Sequence, residues 1–94
     1  MKNDFLLNLS VNISKQGKRL VAYSPALDIS TSGKNLKDAQ KKFAEIATIF
    51  FEELQEAGTT EDVLTELGWH KKQNSWNPPR VTSTQVGIRI PVFA

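Results

Sequence analysis

Phe5, Leu7, Leu9, Val11 and Ile13 alternate with Leu6, Asn8, Ser10 and Asn12, a period of two that predicts a strand with one buried face. Lys15-Gln-Gly-Lys18 is a short polar loop with the glycine that a hairpin bend favours. Arg19 to Ser24 follows as a second strand, Leu20 and Ala22 alternating with Val21 and Tyr23. Pro25 cannot donate to a ladder and closes it. Leu27 to Thr31 predicts a short third strand, and Ser32-Gly33-Lys34 turns the chain.

The period then changes. Leu36, Ala39, Phe43, Ile46, Ala47, Phe50, Leu54 and Ala57 fall on one stripe of a helical wheel. Asn35 suits the N-cap, Asp38 stands three residues on as a capping partner, and Gly58 suits the left-handed exit. The helix therefore spans about 22 residues, or about 33 Å. Thr59 or Thr60 caps a second, short helix carrying Val63, Leu64 and Leu67. Gly68 stops it, and Trp69 is placed to touch Leu64 as the apolar contact of a Schellman motif. Residues 70–83, with Asn77-Pro-Pro-Arg80, predict a loop. Gln85 to Val92 returns to a strand, Val86, Ile88, Ile90 and Val92 sharing one face, with Pro91 marking an edge or an end.

The predicted order is β-β-β-α-α-β, an α+β two-layer sandwich in which three meandering strands are packed by one long helix. The last strand is expected to return through the helices and lie parallel to a neighbour. Ninety-four residues make one small domain, here 1–94, and no repeat or second domain is visible. The absence of cysteine suits a reducing compartment. Phe5-Leu-Leu7 is too short for a signal-peptide core, and no segment approaches a membrane span, so a soluble cytoplasmic protein is expected.

Charge sharpens the picture. The net charge of +2 hides eight Lys/Arg against three acids in residues 1–42, and four bases with no acid in residues 70–94. Between them, residues 43–69 carry seven acids and no Lys or Arg: Glu45, Glu52, Glu53, Glu56, Glu61, Asp62 and Glu66. Lys37, Lys41 and Lys42 occupy the first half of the long helix while Glu52, Glu53 and Glu56 occupy its end, against the macrodipole. Two explanations stand. Lys41 and Lys42 can reach Glu45 in inexpensive surface pairs, or the charges are placed for something outside the chain. Ile49 and Phe51 flank the core stripe and await cover from this chain or from a partner.

Reactive groups are scarce. His70 is the only histidine and has no evident orienting partner, so the expectation is a solvated side chain. No serine sits in a Gly-x-Ser-x-Gly elbow. The first strand contains no acid, so the converging carboxylates of metal-dependent phosphodiester cleavage are missing. Asp28 is expected to tie the backbone at the bend after Pro25. Gly33-Lys34-Asn35 before a helix hints at anion binding, but the upstream glycine of a P-loop is absent. The expectation is a protein that is not an enzyme, with no cofactor and no metal.

The pattern resembles the HicB family of bacterial and archaeal antitoxins, in its short form. The resemblance lies in Val21-Ala-Tyr-Ser-Pro-Ala-Leu-Asp28 and Thr31-Ser-Gly-Lys-Asn-Leu-Lys-Asp-Ala39, then Phe50-Phe-Glu-Glu-Leu54 with Gly58. It continues through Glu61-Asp-Val-Leu-Thr-Glu-Leu-Gly-Trp69 to Ile88-Arg-Ile-Pro-Val92. It implies a degenerate ribonuclease H-like fold without catalytic acids. It also implies a partner, a small basic mRNA-cleaving toxin of the HicA type, which the antitoxin binds and blocks. Longer members append a DNA-binding domain, and no such segment is expected here. A basic toxin would meet the acid-rich stretch, so the candidate partner-binding residues are the seven acids with Phe51 and Trp69 as apolar anchors. An exposed edge strand near the C-terminus makes a homodimer reasonable. The competing expectation is a stand-alone nucleic-acid binder using Lys15, Lys18, Arg19, Lys34, Lys37, Lys71, Lys72 and Arg80, with Trp76 for stacking.

Overall fold

A computed structural model of the chain describes residues 6–92. Three antiparallel strands, β1 (Asn12–Gln16), β2 (Arg19–Ser24) and β3 (Ile29–Gly33), form a meander with β2 in the centre. Helices α1 (Leu36–Ala57) and α2 (Thr60–Glu66) follow, then a two-stranded hairpin of β4 (His70–Lys72) and β5 (Ser75–Asn77). The fold is an α+β sandwich in which α1 lies across β2 and β3. Its core is Ala22, Ala26, Leu27, Ala39, Phe43, Ala47, Leu54, Leu64 and Trp69.

Local chemistry explains each joint. Gly17 takes a left-handed φ of 64° in the tight turn that sets Gln16 opposite Arg19. Register places Ile13, Ala22 and Thr31 side by side, and Ala22 is fully buried. One step along, Leu20 faces Gly33, where a side chain would collide with helix backbone: a Cβ there would lie 2.7 Å from the Ala39 Cα. Glycine at this position lets the first turn of α1 sit directly on the sheet.

Both ends of α1 are closed as the sequence predicts. Asn35 Oδ1 accepts from the Asp38 N–H at 2.8 Å, and Asp38 Oδ2 accepts from the Lys34 N–H at 2.9 Å. That second bond, with the nearby Lys42 ammonium, holds the Asp38 carboxyl below its ordinary range despite some desolvation. At the far end Gly58 adopts a φ of 69°, and Thr59 N–H reaches the Leu54 carbonyl at 3.0 Å. α2 ends the same way: Gly68 has a φ of 95° and Trp69 N–H bonds the Leu64 carbonyl at 2.9 Å.

Several expectations need correction. The long first strand is divided: its ladder covers only Asn12–Gln16, while residues 6–11 carry no strand pairing. The alternation holds over residues 6–11, where Leu7, Leu9 and Val11 are half-buried against the core and Leu6, Asn8 and Ser10 are exposed, but it stops there: every residue of β1 is exposed, Ile13 included. Phe5 lies outside the described residues. The third strand starts at Ile29 rather than Leu27, because Asp28 turns left-handed (φ 55°) and its N–H bonds the Ser24 carbonyl at 2.8 Å. Ala26 and Leu27 plug the core from that turn instead of pairing. The expected loop 70–83 contains the β4–β5 hairpin, turned at Gln73 with a φ of 57°.

The largest departure is the final strand. Residues 81–92 contain no strand, all are exposed, and no parallel pairing with the sheet forms. Alternation measures whether a segment could present one apolar face. It does not say whose sheet will receive it.

Candidate functional site

The acid-rich stretch spans two elements. On α1, Phe43, Ala47 and Leu54 point into the core, so Glu45, Glu52 and Glu56 fall on the opposite side of the wheel, with Glu53 on its flank. α2 contributes Glu61 and Asp62 in its first turn and Glu66 in its last, while Leu64 faces inward. All seven acids are exposed. Among the described residues none of them enters an ion pair. The single pair found there joins Lys42 to Asp38 at 3.5 Å, one helical turn apart. Lys41 and Lys42 make no contact ion pair with Glu45, and Lys42 turns to Asp38 instead.

The two aromatic candidates separate. Trp69 is not a surface anchor: it is 3% exposed, and its indole Nε1 donates to the Ala26 carbonyl at 2.8 Å. A side chain that satisfies a buried carbonyl on the sheet side is committed to the core. Phe51 is half-buried, edge-on to Trp69 at 5.9 Å and to Phe50 at 5.6 Å. Trp69 thus supports Phe51 on one flank of α1, between the core stripe and the face that carries Glu45, Glu52 and Glu56. Cover for Phe51 comes from this chain. Ile49 stays 51% exposed.

The residues proposed for nucleic-acid binding are scattered over the hairpins and the start of α1. Arg19 Nε donates to Ser32 Oγ at 3.0 Å across the solvent face of the sheet. Lys71 places its ammonium 5.8 Å from the centre of the Trp76 ring, so the ring intended for base stacking already holds a cation. His70 is exposed in β4 opposite Asn77. Among the described residues no three His, Cys, Asp or Glu side chains are grouped as metal donors, and no helix is long and apolar enough to cross a membrane.

Asp28 does more than tie the bend. Its Oδ1 accepts from the Tyr23 hydroxyl at 3.0 Å. That hydrogen bond, then desolvation, then the carboxylate's charge push the tyrosine above its ordinary value. The sequence ties Asp28 to the bend after Pro25, but its contact with Tyr23 depends on the left-handed φ of 55° at Asp28, which no residue pattern announces.

Family models, curated proteins and solved structures were compared with the chain, and none matches it.

Proposed function

We propose that this chain works by occupying another protein, as an antitoxin of the HicB kind that covers the active site of a small basic mRNA-cleaving toxin of the HicA type. One observation carries the reading: seven exposed carboxylates on α1 and α2 stand without a cationic partner among the described residues, in a stretch with no Lys or Arg. Glu56 sits in the last turn of α1, where the macrodipole disfavours negative charge by roughly 0.3–1 kcal/mol, and Glu52 and Glu53 stand just before it. The helix gains nothing from them. A cationic surface docking there would, and complementary charge would accelerate the encounter. Phe51 provides the apolar contact beside the charges, on a rigid footing of Trp69. The fold belongs, on this reading, to the degenerate ribonuclease H-like class, and the protein acts in the cytoplasm, where the mRNA substrate of such a toxin is found.

The test is a triple charge reversal, Glu52→Lys with Glu53→Lys and Glu56→Lys. Lysine at the C-terminal end of α1 suits the dipole, so helix content and thermal midpoint should be preserved. Co-expressed with a small basic mRNA-cleaving toxin of the HicA type, the wild-type chain should restore growth and co-purify with that toxin. The triple variant should do neither. Full rescue by the folded variant would overturn this choice of surface. A gel shift of the isolated wild-type chain with RNA or DNA, falling steeply with salt and needing no protein partner, would favour nucleic-acid binding instead.

A further inference from the structure

Residues 86–92 read Val-Gly-Ile-Arg-Ile-Pro-Val, a pattern symmetric about Arg89. Valine stands at both ends, isoleucine on both sides of the centre, and glycine is matched by proline. In extended backbone, residues of one parity share both a face and a hydrogen-bonding edge. Val86, Ile88, Ile90 and Val92 therefore offer one apolar face and one edge of N–H and C=O groups. Pro91, which lacks a donor, belongs to the other parity and subtracts nothing from that edge. In the isolated chain the four side chains are 76%, 76%, 63% and 97% exposed, and the segment pairs with neither edge of the three-stranded sheet.

We infer that this segment pairs with the same segment of a second copy, in an antiparallel ladder whose two-fold axis passes through Arg89. In that register Val86 meets Val92 and Ile88 meets Ile90 in hydrogen-bonded pairs. Gly87 meets Pro91 and Arg89 meets Arg89 in the pairs that need no backbone bond. Every apolar side chain faces an apolar side chain, no donor is missing from the ladder, and the small glycine accommodates the proline ring. Of the chain's own two open edges, β1 carries Lys15, the same sign as Arg80 and Arg89, and is the poorer acceptor. The self-pair carries one like-charge contact, Arg89 on Arg89, on the solvent face where salt screens it. A free two-stranded ribbon is only marginally stable, so the dimer is reversible and tightens with salt. This inference stands apart from the toxin-binding surface on α1 and α2.

The experiment uses the full chain in sedimentation across a concentration series. The wild type should pass from monomer to dimer. Ile88→Pro and Ile90→Pro, which remove donors from the ladder edge, should weaken association roughly tenfold or more. Arg89→Pro, on the other edge, should keep the dimer and lose its salt dependence. The chain has no cysteine of its own, so Arg89→Cys should give an intermolecular disulfide under mild oxidation, and Gly87→Cys, facing Pro91, should not. Circular dichroism checks that each variant is folded. A wild type that stays monomeric, a dimer indifferent to Ile88→Pro, or equal cross-linking from positions 87 and 89 would each overturn the inference.

Discussion

Tyr23 and Asp28 show how a single residue's backbone conformation decides a neighbour's chemistry. Asp28 is in the left-handed region, which brings its carboxylate to the Tyr23 hydroxyl. Ionising the phenol would destroy that hydrogen bond and set two negative charges together, so Tyr23 is pushed above the ordinary 10.0. A group with a raised folded pKa contributes stability that is present below its unfolded pKa and lost as pH rises through the folded value. Asp28→Asn tests this cleanly, because asparagine tolerates the left-handed backbone and removes only the charge. Tyr23 is the only tyrosine, so phenolate absorbance reports it alone. The variant should titrate closer to the ordinary value than the wild type. An unchanged curve would mean that the contact does not persist in solution.

At the scale of elements, α1 was legible because independent signals agreed: an apolar stripe, a capping asparagine and a terminal glycine all pointed to the same bounds. Replacing Asn35 with alanine removes the acceptor for the Asp38 N–H and should cost about 1 kcal/mol in chemical denaturation. Asp38 adds a pH dependence of known sign. Its folded pKa is lowered, so its contribution is full above the unfolded carboxylate value and fades as pH falls through the folded one. Denaturation curves of Asn35→Ala against wild type, taken at neutral and at acidic pH, measure both effects. The strands were less legible. Nothing in Leu27 announces that it will plug the core from a turn, because that depends on a positive φ at Asp28. The β4–β5 hairpin escaped because it is short, polar and turned by a glutamine. The acids of the candidate site were readable, since charges opposite a core stripe must be exposed. Trp69 was readable only in part: its contact with the end of α2 followed from Gly68, but its bond to Ala26, 43 residues away in sequence, did not.

At the scale of the whole molecule, the radius of gyration is 16.4 Å, against about 12 Å for a compact chain of this length. The extents of 60 × 29 × 21 Å place the excess along one axis. The source is the segment beyond Pro79, whose described residues 80–92 are all exposed. Contacts with the folded body run up to that point. Pro78 and Pro79 are half-buried, and a side chain at Gly68 would lie 3.4 Å from the Pro79 ring. A chain truncated after Arg80 should therefore keep its helix content and unfold at the same temperature, when both proteins are dilute enough to be monomeric. Its scattering radius should fall to about 12 Å. A large loss of thermal stability on truncation would instead show that Val86, Ile88 and Ile90 return to the chain's own sheet in solution. The sandwich is closed without its last period-two segment, which leaves that segment free to serve as a contact rather than as a wall of the core.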